Sequence, residues 1–381
     1  MQKISIAAVI AEFNPLHRGH EYIIKKAREL SGASHVLIVL SPNFTQRAEP
    51  AVIEKHIRAA AAIHAGADAV VEIPTVYATG NAEVFAKAAV KIVASFPHVT
   101  HLVFGTESPD ISLIRTIAKT QVGRKNDFEN SMTSHIKKGI SFDKARCEVI
   151  KKLLPKIPSD LIEKTMNTPN NILGIEYLKE LVKLQAKVTP IGVQRIQCPS
   201  ASEIRKKMFD IDTLDRFGST VLYNLMTRVN ENVYNSNTEL VNLIRNTHPV
   251  TYTELKERAP TKRFSVSRIA RLALHSTLGV NKTDIDFLYK HNWLPYTNLL
   301  AINTDADALF AALCLNSKTP LVVKGNKIKP RKTNYYHALK QIDQRAELLY
   351  ESVTGLKFDY KPSFVQRRLL NAPATTAVQP S

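Results

Sequence analysis

The stretch KISIAAVIAEFNPLHRGH, residues 3–20, decides how the first half of the chain folds. Its first part, Lys3–Ala11, is almost entirely apolar and predicts a buried strand. A helix is predicted from Gly19 to about Ser31, because its apolar side chains recur on one helical face. A strand that leads through a short loop into a helix is the beginning of a strand–helix–strand unit.

The same alternation continues along the next hundred residues. Strands that alternate with helices indicate a parallel sheet with right-handed crossovers. The sequence therefore predicts an α/β, Rossmann-like domain over residues 1–212, with a helical insertion at about 111–185 before its last strand. The predicted elements are strands at His35–Leu40, Ala69–Ile73, His101–Phe104 and Lys187–Val193, and helices at Glu49–Ala65, Asn81–Ser95 and Ala201–Met208.

The character of the chain changes after about residue 215. We expect a mainly helical, basic C-terminal domain over residues 213–370 and a frayed tail over residues 371–381. The predicted elements are helices at Tyr223–Arg228, Glu239–Arg245, Arg263–Thr277 and Thr283–His291, and short strands at Asn298–Ala301 and Pro320–Lys324.

The charge balance points to a polyanionic partner. The chain has 381 residues, 52 Lys and Arg, 34 Asp and Glu, and a formal net charge of +18. Such an excess favours binding to nucleic acid, and an enzyme that acts only on a small acid does not need it. The alternative is that the charge serves solubility alone.

Cysteine usage and hydropathy indicate the compartment. Cys147, Cys198 and Cys314 are far apart and odd in number, which argues against a disulfide framework or a zinc site. The apolar run Ile4–Ala11 is too short for a membrane span, no cleavage-site pattern follows it, and no later run is long enough. These features predict a protein of the reducing cytoplasm that makes no membrane contact.

Two histidines, His17 and His20, stand at the first strand–helix junction. Ligands of open parallel sheets bind beyond the carboxyl ends of the strands, where a helix N-terminus offers free N–H groups and partial positive charge. Both imidazoles can face one phosphate chain, and Gly19 lets the backbone approach it. The alternatives are two surface histidines, or a zinc site, which lacks a third ligand nearby. The loop is predicted to hold nucleotide phosphates, with both histidines catalytic.

A second phosphate element is predicted at PSASEIR, residues 199–205. Ser200 or Ser202 would cap the helix, and its N-terminus would hold the outer phosphates of a triphosphate. Arg205 would neutralise charge on the departing pyrophosphate. The alternative is an ordinary capped helix with an exposed arginine, but the pairing with His17 and His20 favours a functional role.

Longer strings resemble one family. The His-x-Gly-His element resembles the HIGH signature of the nucleotidyltransferase and class I aminoacyl-tRNA synthetase superfamily. The strings IAEFNPLH (10–17), SPNFTQRAEP (41–50), FGTE (104–107), PNNILGIEY (169–177) and QRI (194–196) together resemble the bacterial tRNA(Met) cytidine acetate ligase family. The resemblance covers most of residues 1–350 and is most specific in the first 205. It implies that ATP and acetate give acetyl-adenylate and pyrophosphate, and that N4 of the wobble cytidine of elongator tRNA(Met) then becomes acetylated.

The resemblance also implies which residues hold ATP. Gly105 would admit the adenosine, Asn170 would bind the base or ribose, and Arg195 would meet a phosphate or the adenine face. The alternatives are a turn glycine, a helix-capping asparagine (Asn171 is equally placed) and a surface arginine. The implied ATP-binding loop comprises Ile10, Ala11, Glu12, Phe13, Asn14, Pro15, Leu16, His17, Arg18, Gly19, His20, Glu21, Tyr22 and Ile23.

The chain departs from the family pattern at four positions and in one linker. Phe13 stands where Tyr is usual, Leu16 where Phe is usual, Arg18 where Asn is usual, and Ala48 where Gly is usual. The linker before Ser200 is shorter than usual and lacks the family's Gly-rich stretch with Tyr and His.

Polar residues after the second and third strands should border the same crevice. Asn43, Gln46 and Arg47 either touch substrate or the incoming cytidine, or form a connecting loop. Glu72 either orients a substrate or is solvated.

The basic C-terminal part suits tRNA. The spacing of Arg263, Arg268 and Arg271 places much of their charge along one helical side, although a charge run is more often a solvated face. A second basic stretch would grip phosphates, with Tyr335 and Tyr336 nearby to stack a base. It consists of Lys324, Lys327, Lys329, Arg331 and Lys332.

The resemblance therefore implies an ATP-dependent ligase with acetate and elongator tRNA(Met) as partners and ATP as a cofactor, and Mg²⁺ is expected with the triphosphate. Two other functions stay open: a small-molecule adenylyltransferase, and a non-catalytic RNA-binding protein. The first needs no long basic C-terminal part, and intact His17 and His20 argue against the second.

Overall fold

The fold is described by a computed structural model that covers residues 4–199, 201–208, 210–290, 294, 296–315, 317–323, 334–357 and 363–365. Within these ranges the strands are β1 (Ile6–Ala11), β2 (His35–Leu40), β3 (Ala69–Glu72), β4 (Val99–Thr106), β5 (Thr189–Gln194), β6 (Thr297–Asn303), β7 (Leu321–Val322) and β8 (Ser363–Val365).

The helices alternate with these strands in the first half and dominate the second. Within the described ranges they are α1 (Arg18–Ser31), α2 (Lys55–His64), α3 (Thr75–Ala78), α4 (Ala82–Ser95), α5 (Ser112–Gly123), α6 (Lys125–Lys137), α7 (Phe142–Leu153), α8 (Ser159–Met166), α9 (Pro169–Lys183), α10 (Ala201–Met208), α11 (Ile211–Arg228), α12 (Thr238–Thr247), α13 (Tyr252–Arg258), α14 (Val266–Leu278), α15 (Lys282–Lys290), α16 (Asp307–Cys314) and α17 (Asn334–Thr354).

One sheet organises the molecule, with strand order β5-β4-β1-β2-β3-β6-β7 and β8 paired to the end of β6. The first five strands of this order are mutually parallel, as predicted. Their carboxyl ends therefore share one edge, which is where ligands of such sheets bind. β6 is antiparallel to β3.

The strand β1 lies inside the sheet and is buried on both faces, as its continuous apolar run predicts. Its side chains alternate between two cores. Val9 packs on the face that α1 and α2 cover, together with Ile24. Ile10 packs on the opposite face, together with Phe85 of α4 and Tyr177 of α9. Because the helices cover both faces, the carboxyl edge of the sheet is left open for a ligand.

The predicted helix Glu49–Ala65 was wrong over its first six residues, because α2 begins only at Lys55. Pro50 instead forms an isolated bridge with Phe44. The Glu54 carboxylate caps α2 by accepting from the backbone N–H groups of His56 and Ile57. A carboxylate that satisfies the free N–H groups of the first turn fixes where the helix starts.

Two C-terminal helices differ most from the predictions. The predicted helix Tyr223–Arg228 is only the end of α11, which starts at Ile211 behind an Asp210 cap. The helix α17 was missed altogether, although it is the longest described helix.

The sheet crosses the predicted domain boundary at residue 212. β6 comes from the part expected to be mainly helical, yet it pairs with β3 in the register Ala69↔Ile302. Lys55 of α2 also forms an ion pair with Glu347 of α17, at 2.6 Å. The division into residues 1–212 and 213–370 stays a prediction, and the tail 371–381 lies outside the described residues.

Candidate active site

A cleft of about 430 Å³ opens at the carboxyl ends of β1, β4 and β5. Its volume is within the range of ordinary ligand sites. The predicted site residues that line it are Ile10, Ala11, Glu12, Phe13, Asn14, His17, Gly19, His20, Tyr22, Ile23, Gly105, Asn170, Arg195 and Arg205. Pro15, Leu16, Arg18 and Glu21 belong to the same loop and helix but are not among the lining residues, and Arg18 and Glu21 are exposed.

His17 is the N-cap residue of α1. Its Nδ1 accepts a hydrogen bond from the backbone N–H of Gly19 at 3.1 Å. The accepting nitrogen carries no proton, so the neutral ring has its proton on Nε2. Burial, followed by the positive charge of Arg195, lowers the pKa of His17. At neutral pH the ring is therefore uncharged and offers one N–H donor, at Nε2.

His20 stacks on His17, with ring centroids 3.7 Å apart and an interplanar angle of 21°. Phe13 tilts against its other side at 4.8 Å. Burial, and then the neighbouring His17, lower the pKa of His20 to about 3. Its Nδ1 is buried and has no hydrogen-bond partner among the described residues.

Gly19 is required by packing inside the protein as well as by ligand approach. A Cβ at this position would lie 2.9 Å from Cε1 of His17 and 3.0 Å from Sγ of Cys198. Both distances are shorter than ordinary van der Waals contacts. A side chain at residue 19 would therefore displace the His17 ring.

A second helix N-terminus borders the cleft. α9 begins at Pro169 behind Thr168, so neither asparagine caps it. Asn170 lines the cleft, and its Nδ2 donates to Oε1 of Glu107 at 3.3 Å. The Asn171 side chain is buried and accepts from the backbone N–H of Glu107 at 3.4 Å. The structure thus separates the two residues: Asn170 faces the cleft, and Asn171 supports the loop after β4.

Gly105 in β4 lies close to Arg195, the residue that follows β5. A Cβ on Gly105 would reach no atom closer than Cγ of Arg195, at 3.9 Å, so the space above the glycine is open. The Arg195 side chain is half exposed, with Nη1 3.7 Å from Oε1 of Glu107. This weak pairing leaves the guanidinium able to meet an anion in the cleft.

Arg205 is partly buried and is not the exposed surface arginine of the alternative interpretation. Its Nη1 donates to the backbone carbonyl of Asn14 at 2.7 Å. Burial and the nearby Arg47 lower the pKa of Arg205. Ser200 and the side chain of Ser202 lie outside the described part of the structure.

Arg58, which sequence reasoning missed, organises the edge of the sheet. Its side chain is 1% exposed. It donates to the backbone carbonyls of Glu12, Ser41 and Pro42, and also to that of Ile53. The loops after β1 and β2 are therefore held by one guanidinium. The only signal in the sequence is a single arginine beside the alanine run of α2.

Some residues of the loop after β2 line the cleft, and another is buried within the fold. Gln46 and Arg47 line the cleft, and the backbone N–H of Gln46 donates to Oε1 of Glu12 at 2.8 Å. Asn43 is buried and accepts from the backbone N–H of Lys55 at 2.8 Å. Of the two alternatives for Asn43, its burial and this hydrogen bond favour the connecting loop.

Glu72 neither orients a substrate nor is solvated. Its carboxylate is 3% exposed and forms an ion pair with Lys55 at 2.8 Å. It also accepts from Nδ2 of Asn298 at 2.7 Å. The residue joins β3 to α2 and β6, away from the cleft.

The predicted basic surface is only partly described. Arg263 precedes α14, so it does not share a helical side with Arg268 and Arg271, and it pairs with Glu239 at 2.7 Å. Arg268 packs over the Phe264 ring at 5.0 Å. Burial lowers the pKa of Arg271. Lys324, Lys327, Lys329, Arg331 and Lys332 lie outside the described residues, as does the side chain of Tyr335.

Two kinds of feature are absent from the described residues. No group of three or more His, Cys, Asp or Glu side chains is arranged to hold a metal ion in that part of the chain. None of the helices described there is long and apolar enough to cross a bilayer.

The sequence matches one family of known proteins. The model of the HIGH nucleotidyl transferase family matches residues 4–216 and 198–361. The chain is 31% identical to a protein named tRNA(Met) cytidine acetate ligase from Clostridium perfringens strain SM101, over 91% of this chain and 95% of that protein. It is 30% identical to one of the same name from Thermoanaerobacter sp. strain X514, over 87% and 91%.

Solved structures agree with the sequence relatives. The crystal structure of Thermotoga maritima TmcAL bound with alpha-thio ATP superposes with a TM-score of 0.86 and 25% identity, over 95% of this chain and 100% of that chain. The apo form of the same protein gives a TM-score of 0.83 and 25% identity, over 92% and 95%.

Proposed function

Because this chain belongs to the tRNA(Met) cytidine acetate ligase family of HIGH nucleotidyl transferases, we propose that it activates acetate as acetyl-adenylate before it modifies tRNA. Family membership makes it an ATP-dependent ligase that acts on a cytidine of tRNA(Met). The observation that supports the mechanism best is the pair of stacked, uncharged histidines, His17 and His20, at the N-terminus of α1.

The proposed chemistry has two steps. A carboxylate oxygen of acetate attacks the α-phosphorus of ATP, the bond between the α- and β-phosphates breaks, and pyrophosphate leaves with the electron pair. The N4 amine of the wobble cytidine of elongator tRNA(Met) then attacks the acyl carbon, and AMP leaves. One proton of the amine is released, and the product is N4-acetylcytidine.

The histidines serve the first step. Negative charge builds on the phosphate oxygens as pyrophosphate departs, and N–H donors aimed at these oxygens stabilise it. The Nε2–H of His17 and the imidazole of His20, which both line the cleft, are candidate partners at this place. Because both rings are neutral at pH 7, they keep the same hydrogen-bonding pattern over a wide pH range.

Arginines complement the triphosphate. Arg195, next to β5, and Arg205 of α10 line the cleft together with the histidines. We propose that Arg205, Ser202 and the N-terminus of α10 bind the departing pyrophosphate. On the other side, Asn170 and the open space at Gly105 would receive the adenosine. Mg²⁺ is proposed to arrive with ATP, held mainly by phosphate oxygens, since a triphosphate's charge is normally neutralised by a metal. Glu12 is the one acid among the described lining residues and is the protein group best placed to join it.

The acceptor is proposed to bind over the basic C-terminal part. The net charge of +18 supports a polyanionic partner. Arg268, Arg271 and the basic stretch 324–332 would contact phosphates, and Arg263 would do so after it exchanges Glu239 for a phosphate. We propose that the protein works in the cytoplasm, together with its tRNA substrate.

One experiment tests the whole reaction. The protein is incubated with ATP, Mg²⁺, labelled acetate and bulk tRNA, and the tRNA is then digested to nucleosides. The expected result is label in N4-acetylcytidine together with AMP and pyrophosphate. Label absent from cytidine, with dinucleotides formed on small phosphates, would instead favour a small-molecule adenylyltransferase. Binding of tRNA without ATP turnover would favour a non-catalytic RNA-binding protein.

A further inference from the structure

The cleft has two chemically different sides, because β1 sends successive side chains to opposite faces of the sheet. Val9 belongs to the face that α1 covers, with the histidines and Arg195 nearby. Ile10 belongs to the face that α4 and α9 cover. The alternation of one strand therefore divides the cleft into a polar side that suits phosphates and an apolar side.

The apolar side is built from four side chains, Ile10, Phe85, Leu173 and Tyr177, which we call the apolar end. Ile10 is 8% exposed, Phe85 3% and Tyr177 4%, and Leu173 packs partly buried against the same core. All four side chains line the cleft, and Ile10, Phe85 and Tyr177 are almost fully enclosed by protein. An apolar and aromatic lining of this kind is typical of sites that bury an apolar ligand group.

One polar group interrupts this surface, the hydroxyl of Tyr177. The ring is held edge-on by Phe104, with centroids 5.9 Å apart, so that its orientation is set by packing. Burial, and then the nearby Glu12 carboxylate, raise the pKa of Tyr177 well above its ordinary value. The hydroxyl therefore keeps its proton under all physiological conditions and is a neutral hydrogen-bond donor.

Close packing fixes where the apolar end lies. A Cβ on Gly174 would lie 2.7 Å from Cε2 of Phe104. The absence of a side chain there lets α9 approach β4, which brings Leu173 and Tyr177 to the edge of the sheet. The apolar end is thus a rigid part of the fold.

We propose that the apolar end is the binding site for the acyl group of the acid, with Ile10, Phe85 and Leu173 around the methyl group and the Tyr177 hydroxyl donating to the acyl oxygen. This proposal rests on the proposed function. It makes Phe85 and Leu173 the residues that limit chain length, so that acetate fits and longer fatty acids are excluded.

The nucleotide is a poorer occupant of this place. A purine carries hydrogen-bond donors and acceptors around its edge, and a site that binds it must form hydrogen bonds with them. The apolar end offers one hydroxyl, whereas Asn170, Glu107 and Arg195 supply several polar groups at the β4–β5 side. A methyl group needs no such partners. The apolar end also adjoins Glu12 and Phe13 at the carboxyl end of β1, beside His20, where the α-phosphate would lie.

The test measures acid-dependent exchange of labelled pyrophosphate into ATP with the full chain, using acetate, propionate and butyrate. Phe85→Leu and, independently, Leu173→Ala are expected to raise the ratio of propionate to acetate kcat/KM about tenfold, the usual effect of one methylene in an apolar pocket. Tyr177→Phe is expected to raise the KM for acetate about tenfold and leave the KM for ATP unchanged, since one hydrogen bond to a buried ligand is lost.

A matched control is Phe96→Leu, which removes an equally buried aromatic ring from the other end of α4, away from the cleft. It should leave the acid preference unchanged. If the Phe85, Leu173 and Tyr177 variants raise the KM for ATP and keep the acid preference of the wild type, the apolar end holds nucleotide and the proposal is wrong. A wild-type protein without acetate-dependent exchange would contradict the proposed function itself.

Discussion

Arg205 donates a hydrogen bond from Nη1 to the backbone carbonyl of Asn14 at 2.7 Å, across 191 residues of sequence. The contact joins α10 to the loop that leads into His17 and His20. The two phosphate elements therefore form one surface, with a guanidinium that both fixes the loop and faces the cleft.

Replacement of Arg205 should affect turnover through both roles. Arg205→Met is expected to lower the rate of acetate-dependent pyrophosphate exchange about 100-fold, a typical loss for one charged group that stabilises the transition state. Arg205→Lys keeps the positive charge but loses the forked geometry of the guanidinium. Its exchange rate should therefore lie between those of the wild type and Arg205→Met. Arg115→Met, at an exposed position of α5, is the control. Equal rates for all four proteins would contradict the role given to Arg205.

His20→Ala should abolish acetyl-adenylate formation and leave tRNA binding largely intact. We expect a decrease of 100-fold or more in pyrophosphate exchange, because an oriented donor at the phosphates is lost, on the order of 3 kcal/mol. Binding of tRNA is measured in parallel by filter retention. His64→Asn, at an exposed site in α2, serves as the control. An equal collapse of tRNA binding in His20→Ala would show that the histidine is not a local phosphate ligand.

Gly19→Ala should displace the His17 ring, since the new Cβ would lie 2.9 Å from Cε1 of His17. The expected result is a fall of about 10- to 100-fold in exchange rate, the scale of loss that misplacement by 1 Å causes. The matched control is Gly123→Ala near the end of α5, where a Cβ would meet nothing within 4 Å. If both alanine variants are equally active, the close contact does not constrain catalysis.

Arg58→Met should destabilise the protein more than any exposed arginine replacement does. The four carbonyl oxygens that Arg58 contacts would lose their donor in a buried place. Unsatisfied buried acceptors cost about 1–3 kcal/mol each, so we expect a loss of roughly 3 kcal/mol or more in the free energy of unfolding. Urea denaturation measures it, with Arg115→Met expected within about 0.5 kcal/mol of the wild type.

The stability of the fold should depend on the neutral His20. Its pKa of about 3 in the folded state lies below the ordinary 6.5, so between these values the unfolded chain binds more protons. Stability should therefore fall as the pH is lowered from about 6.5 toward 3, by up to about 1.4 kcal/mol per pH unit for this group. Buried His275, whose pKa is about 3, also lowers the stability as the pH falls. Asp343, whose pKa is raised to about 7, has the opposite effect on the stability.

A comparison of His20→Asn with the wild type isolates that contribution, since His275 and Asp343 are common to both. Urea unfolding at pH 6, 5 and 4 gives the free energy of unfolding at each pH. In the variant this free energy should decline less steeply as the pH falls, by about the slope that corresponds to one bound proton. Identical slopes would mean that His20 is protonated in the folded protein.

The sequence by itself determined the features that depend on neighbours along the chain. The apolar run of β1, its junction with α1 and the His17–His20 spacing are local, so that strand, helix and phosphate loop could be predicted. The parallel order of the first strands followed from their alternation with helices. The bounds of β2 and the first residue of α10 were predicted correctly.

Only the tertiary structure decided which distant residues meet. Arg58 reaches the loops after β1 and β2, β6 joins the sheet beside β3, and Phe85 and Tyr177 close the apolar end of the cleft. None of these has a periodic or local signal, because each is fixed by packing between segments far apart in sequence. The same packing excludes water from His20, and this burial, which no spacing of residues reveals, makes the ring neutral.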